Sequence, residues 1–260
     1  MHAAAVLTEF RDGAIWLTLN RPEAMNSISP AVVQGLMDGL DLAATSNEVR
    51  AVVLCGTGRA FCAGADLKFV RSTGDADGVG SFLGDFLVVL NRLEAFPKPV
   101  IAAVNGMALA GGLEMVLCCD LVVAARSAQF GDAHANYGLL PGGGGSVRLP
   151  RKIGPTRAKY LMFTGEFESA EHMKLAGLVN EVVDDPALLE AVGALAASIA
   201  AKSPLGLARM KALVDDGLQQ PHETALRQEL LMSALHEQSH DMHEGLAAFE
   251  EKRAPRFVGR

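Results

Sequence analysis

The stretch Asn105-Gly-Met-Ala-Leu-Ala-Gly-Gly-Leu-Glu114 decides how the rest of the chain is read. An apolar segment, Pro99 to Val104, runs into it, and another, Glu114-Met-Val-Leu-Cys-Cys-Asp120, leaves it. That pattern predicts a buried strand, a glycine turn and a buried helix beginning near Gly111. Gly111 and Gly112 lack a Cβ, so their backbone N–H groups can approach a ligand closely. The first N–H groups of a helix have no partner inside it, and the helix dipole makes that end positive. An oxygen that gains negative charge during a reaction is stabilised there. Glu114 lies one turn further on, in an otherwise apolar helix. It is either a paired structural acid or a catalytic one, and the turn before it favours catalysis.

Outward from this centre, Val6–Phe10 and Ala14–Leu19 read as two strands joined by the turn Arg11-Asp-Gly13. Ser29-Pro30 is an N-cap with proline at the first helical position, and the helix runs to about Thr45. Ala51–Cys55 is a short buried strand. Ala63-Gly-Ala-Asp66 is a second tight turn that opens a short helix. Ser72–Gly80, rich in Gly, Asp and Ser, reads as a mobile loop, and Phe82–Ala95 as a helix ended by Phe96-Pro-Lys-Pro99. Further strands are expected at Leu121–Ala125 and Leu178–Val183. Pro141-Gly-Gly-Gly-Gly145 is expected to be a mobile loop, with Ser146 capping the helix after it. Thr156–Thr164 is helical, and from Pro186 onward only helices are expected. Alternating strands and helices followed by a helical tail give an α/β core with parallel strands.

Composition narrows the class. The chain has 260 residues, of which 50% are hydrophobic and 20% charged, which suits one large core with a smaller appended element. No apolar run reaches the roughly 18 residues a membrane span needs. The N-terminus has neither the basic nor the long apolar region of a signal peptide. Cys55, Cys62, Cys118 and Cys119 lie in apolar surroundings and read as reduced core thiols, in keeping with a cytoplasmic protein. The net charge of −7 argues against a nucleic-acid or anionic-membrane binder, though not against a phosphorylated ligand held by a few local cations.

Several motifs invite other readings. The glycine run at 142–145 is not followed by Gly-Lys-Ser/Thr, so it is no P-loop. Gly56-Thr-Gly-Arg-Ala-Phe61 has Phe61 where a dinucleotide fingerprint needs glycine. His236, His240 and His243 have helical spacing, but no acidic or cysteine ligand completes a metal pattern, so none is expected.

Taken in order, Ala63-Gly-Ala-Asp-Leu-Lys68, Lys98-Pro-Val-Ile-Ala-Ala-Val-Asn-Gly106, Gly111-Gly-Leu-Glu114, Cys119-Asp120, Gln129-Phe-Gly131 and Ala176-Gly-Leu-Val179 resemble the enoyl-CoA hydratase/isomerase (crotonase) family. The terminal Ala248-Phe-Glu-Glu-Lys-Arg253 resembles that family's last helix, so the likeness spans about Val6 to Phe257. It implies a spiral of ββα units in two sheets over residues 1–195. It also implies a helical region over 196–260 that supports a homotrimer or a dimer of trimers. The implied substrate is an acyl-CoA thioester, with coenzyme A as part of the substrate and no separate cofactor. By motif position the oxyanion donors are the N–H groups of Ala65 and Gly111. Ala63, Ala65, Asp66, Leu67 and Lys68 would line the CoA, and Lys252 would meet its phosphates.

The chain departs from the family at one place. Glu114 matches the first of the two glutamates that typical hydratases use, but His134 stands where the second belongs. Histidine can take or give a proton near neutrality. Asp132, two residues earlier, would share a face with it in an extended segment and could orient it. Tyr137 follows as a further phenol. Phe82, Phe86, Met107, Leu109, Met162 and Phe163 are candidate acyl-pocket walls. Hydration of a 2-enoyl-CoA to a 3-hydroxyacyl-CoA is the leading expectation. Double-bond isomerisation with Glu114 alone, carbon–carbon bond hydrolysis with His134 and Asp132, and a non-catalytic acyl-CoA- or RNA-binding role stay open.

Overall fold

The computed structural model describes residues 3–73 and 76–260, with 76 and 77 described by their backbone alone. β1 (Val6–Arg11) and β2 (Ala14–Leu19) form an antiparallel hairpin, and α1 (Pro30–Thr45) follows. Pro30 stands at the first helical position as expected, but the Ser29 side chain makes no capping bond.

Three similar units come next. The first has β3 (Ala51–Gly56), β4 (Ala60–Cys62), α2 (Leu67–Thr73) and α3 (Ala76–Glu94). The second has β5 (Val100–Val104), β6 (Met107–Leu109) and α4 (Gly111–Leu117). The third has β7 (Leu121–Ala125), β8 (Gln129–Gly131), a 3-10 turn over His134–Tyr137, α5 (Gly145–Ile153) and α6 (Pro155–Thr164). In each unit the longer strand joins one sheet and the short strand a second, so the chain advances as a spiral. The first sheet has the order β1-β2-β3-β5-β7-β10 and is parallel from β2 onward. The second has the order β4-β6-β8-β9, with β9 (Glu168–Ser169) antiparallel at its edge.

The remaining elements are α7 (Ala170–Leu175), β10 (Glu181–Val183), α8 (Leu188–Ala200), α9 (Pro204–Gly217), α10 (His222–His236) and α11 (His240–Glu250). α8 packs on β2, β3, β5 and β7. Covered on both faces, β3 and β5 read as continuous apolar runs rather than alternating ones. Phe61 and Phe130 on the short strands are fully buried, each contributing about 1.5–3 kcal/mol. Buried Asp241 ties the last residues down, accepting from Ser203 Oγ and from the N–H groups of Val258 and Gly259. No single helix among the described residues is long and apolar enough to cross a membrane.

Two expectations change. The loop read at Ser72–Gly80 is mostly helix: α2 continues to Thr73 and α3 starts at Ala76, with 74 and 75 outside the described residues. Phe82, Phe86, Val89, Leu90 and Leu93 form a buried stripe on α3, and that burial outweighs the roughly 1 kcal/mol that each glycine costs a helix. α5 starts at Gly145 with Gly144 as its cap, two residues before the serine read as the cap. The four cysteines are free and buried as expected, and burial pushes the Cys62 thiol up to about 12.

Candidate active site

A cavity of about 330 Å³ opens where the ends of β4 and β6 meet α3 and the 3-10 turn after β8. Ala63, Ala65, Leu109, Gly111, Glu114 and His134 border it, together with an apolar wall from Val70, Phe82, Leu83 and Phe86. Two tight loops build its inner edge. After β4, Ala63 N–H donates to Met25 O at 3.0 Å. Ile28 N–H donates to Gly64 O at 2.8 Å, and Asp66 N–H to Ile28 O at 2.9 Å. These bonds place Ala65 between two anchored peptides. After β6, Ala110 N–H donates to Gly131 O at 2.9 Å. Ala110 itself adopts a left-handed φ of 48°, a strained state for a residue with a Cβ, and α4 starts at once with Gly111. Among the described residues, neither the Ala65 nor the Gly111 N–H donates a hydrogen bond to the protein. Gly112, by contrast, does not face the cavity: a Cβ there would collide with the Cys62 carbonyl, so its bareness serves the packing of α4 on β4.

Glu114 is 3% exposed and held by backbone. Its Oε1 accepts from Gly143 N–H at 2.9 Å and from Gly145 N–H at 2.8 Å. Burial pushes this carboxyl above its ordinary range, while the two amides and the charge of His134 pull it part of the way back. A Cβ on Gly143 would lie 2.6 Å from Glu114 Oε2 and 2.6 Å from Leu90 Cδ1, so the approach of this peptide to the carboxylate requires glycine. The glycine run is therefore tied down rather than loose, contrary to the expected mobile loop. Arg148 completes the tie by donating from Nη1 to Gly143 O at 2.8 Å.

Across Gly145 from Glu114 lies Asp132, 2% exposed, whose Oδ1 meets His134 Nδ1 at 3.1 Å. The pair forms as expected, but not along a strand. β8 ends at Gly131, Ala133 turns with a φ of 58°, and His134 opens the 3-10 turn. Nδ1 is thereby occupied, which leaves Nε2 for the cavity. Burial works against a charged imidazolium here, but the hydrogen bond and charge of Asp132, with the charge of Glu114, outweigh it and raise His134 above its ordinary value.

The other expected residues divide. Leu67 borders the cavity; Asp66, Lys68 and Lys252 are not among the residues that line it. The Asp66 carboxylate is already engaged, accepting from the Lys68 and Phe69 N–H groups at 3.2 Å and pairing with Arg21 at 2.9 Å. Lys252 is exposed, just past the end of α11. Phe82, Phe86 and Leu109 line the cavity, whereas Met107, Met162 and Phe163 do not. Tyr137 stands at its rim, 71% exposed. His236 faces the Arg209 guanidinium at 2.9 Å. No group of three or more His, Cys, Asp or Glu among the described residues could hold a metal ion. Gly142 lines the cavity, so the glycine run does lie beside the pocket, but Gly143, Gly145 and Arg148 are site residues that the sequence reading does not single out: a glycine run says nothing of what its amides face.

Known proteins place this geometry. The chain is 39% identical to the 2,3-dehydroadipyl-CoA hydratase of Escherichia coli (strain K12) over 245 residues, covering 94% of each chain. It is 37% identical to the 1,2-epoxyphenylacetyl-CoA isomerase of the same organism, covering 98% of each. Its fold superposes on a crystal structure of enoyl-CoA hydratase from Bacillus anthracis with a TM-score of 0.95 at 36% identity, covering 98% of this chain and 100% of that one. The sequence profile described as enoyl-CoA hydratase/isomerase matches residues 9–260, and with two sheets wound as one ββα spiral, the chain belongs to that family of enzymes.

Proposed function

We propose that the protein adds water across the conjugated double bond of a 2-enoyl-CoA, giving a 3-hydroxyacyl-CoA, and catalyses the reverse. The observation that carries this reading is a pair of N–H groups, Ala65 and Gly111, with no partner among the described residues, on the same cavity as a backbone-held carboxylate and an Asp-supported histidine. The thioester oxygen accepts from both N–H groups and takes up negative charge as the bond to C3 forms. Donors aimed in this way are worth about 10²–10³ in rate each. Glu114 takes a proton from the attacking water, whose oxygen bonds to C3. The imidazolium of His134 gives its Nε2 proton to C2. Glu114 and His134 then re-equilibrate their protons with solvent.

Asp132 acts through His134 by keeping its proton available near neutrality. Ala63, Ala65 and Leu67 border the cavity, and the resemblance assigns CoA to this turn together with Asp66 and Lys68, and the CoA phosphates to Lys252. The described residues that line the cavity include no Lys or Arg, which suits an uncharged acyl chain. Loss of the conjugated-thioester absorbance, followed over a series of 2-enoyl-CoA chain lengths, tests the reaction; no turnover at any length would rule out a hydratase. Glu114→Gln is expected to bind CoA esters as before and to lose about 10²–10⁴-fold in kcat, the usual share of general acid–base catalysis. A 3-enoyl-CoA separates hydration from isomerisation: an isomerase converts it to the 2-enoyl ester and stops.

A further inference from the structure

Four consecutive glycines would not by themselves hold two amides on one carboxylate oxygen. Ordering each residue's backbone costs about 1–2 kcal/mol, and glycine has the most freedom to lose. The run from Gly142 to Gly145 is nonetheless tethered at its middle by one side chain. The Arg148 side chain is 11% exposed, and each of its guanidinium nitrogens is engaged. Nη1 donates to Gly143 O at 2.8 Å, Nη2 to Asn91 Oδ1 at 2.8 Å and to Glu94 Oε2 at 2.6 Å, and Nε to the same Glu94 oxygen at 3.0 Å. Asn91 and Glu94 lie on the last turn of α3, the helix that gives Phe82 and Phe86 to the cavity wall. The carbonyl that Arg148 binds belongs to the same residue whose N–H binds Glu114.

We propose that Arg148 is a positioning residue of this site: by fixing Gly143 against α3 it holds the Gly143 and Gly145 amides on Glu114 and so sets the aim of that carboxylate. The proposal rests on the reading of Glu114 as the reacting carboxylate. It depends on the planar fork of arginine, because a lysine ammonium carries equal charge but cannot reach a carbonyl, an amide oxygen and a carboxylate in three directions at once. When the tether is lost, the amides drift from Oε1, the ionised form of Glu114 loses hydrogen bonds, and protonation becomes easier. Asp132 and His134, which also face Glu114, are kept in every variant. The direct charge effect of Arg148 on Glu114 is kept in Arg148→Lys, so a lysine that restores the titration would overturn the proposal.

The test uses Arg148→Met, Arg148→Lys and Glu94→Gln in the full-length protein. Melting temperature, kcat, KM, the pH dependence of kcat/KM and the Glu114 titration are measured for each. The titration is followed by carbon-13 NMR of glutamate-labelled protein, with Glu114→Gln assigning the resonance. Arg148→Met is expected to lose about 10²-fold in kcat, the cost of a misplaced group, with KM changed far less. Its acid limb and the Glu114 titration should both move up by about one pH unit, as loss of a hydrogen bond to a charged group requires. Arg148→Lys should restore little of this, and Glu94→Gln should shift the same readouts in the same direction by less. A lowered melting temperature with an unmoved Glu114 titration and acid limb would make Arg148 a staple between helices and overturn the proposal. Should Arg148→Met not fold, an unmoved titration in Glu94→Gln overturns it equally. Failure of the wild-type protein to turn over any enoyl-CoA would instead strike the proposed reaction, which the NMR titration does not depend on.

Discussion

Asp132 and His134 meet at 3.1 Å because Ala133 between them takes a left-handed turn as the chain leaves β8. The charge of that pair fixes a pH response. His134 is raised above its ordinary value, so its imidazolium persists as pH rises through the usual histidine range and is lost only above it. Glu114 is raised too, so its carboxylate is lost sooner as pH falls. A reaction that needs Glu114 ionised and His134 protonated therefore has an acid limb from the former and an alkaline limb from the latter, as apparent values of a coupled pair. In Asp132→Asn the hydrogen bond and charge that favour the imidazolium are removed while burial stays. The alkaline limb should then move to lower pH and kcat near neutrality should fall by about 10-fold or more. A pH profile of kcat/KM checks this, and an alkaline limb that stays in place would show that His134 is not the proton donor. Positions that border the cavity were partly legible at this scale: Glu114 stands out through the glycine turn before it, and His134 through its break with a motif. What the sequence could not reveal was the geometry between distant segments. Nothing in the run at 142–145 says that its amides close on a carboxylate about thirty positions earlier.

At the scale of elements, that glycine run works as a cradle. A methyl group at Gly143 would stand 2.6 Å from both Glu114 Oε2 and Leu90 Cδ1, so either the loop or the carboxylate has to move. Gly143→Ala is expected to cost about 1–3 kcal/mol as overpacking, and about 2–4 °C in melting temperature for each kcal/mol. It should also lower kcat by 10-fold or more, because the same shift disturbs Glu114. Calorimetry and initial rates read the two effects separately, and an unchanged kcat would refute the cradle. The long elements were readable because burial leaves marks of known period: the stripe on α3, the unbroken apolar runs of β3 and β5. β4, β6 and β8 were not. Ala60–Cys62, Met107–Leu109 and Gln129–Gly131 are three residues each, too short for any period to show. They become strands by lying edge to edge, which joins residues from three successive units of the spiral.

At the scale of the whole molecule, the C-terminal helices expose apolar side chains. α10 has no buried residue; Leu226, Leu230, Leu231 and Leu235 are all exposed, Leu231 by 74%. An isolated 15-residue helix is marginal in water, and α10 packs chiefly on α9, whose own Met210, Val214 and Leu218 are exposed. Exposed apolar side chains on two helices that pack on each other make a candidate contact surface. The family resemblance points to other copies of the same chain as the occupant. Sedimentation equilibrium should then give three or six times the chain mass of 27.3 kDa. Replacing Leu230 and Leu231 together with glutamate leaves the helix-forming tendency of α10 nearly unchanged while placing two charges where an apolar contact is expected. The variant should sediment as smaller species and melt at a lower temperature, because oligomerisation stabilises the folded chain by mass action. A wild-type protein that sediments as a single chain would leave this surface to some other partner. A variant that keeps the full assembly would move the interface away from α10.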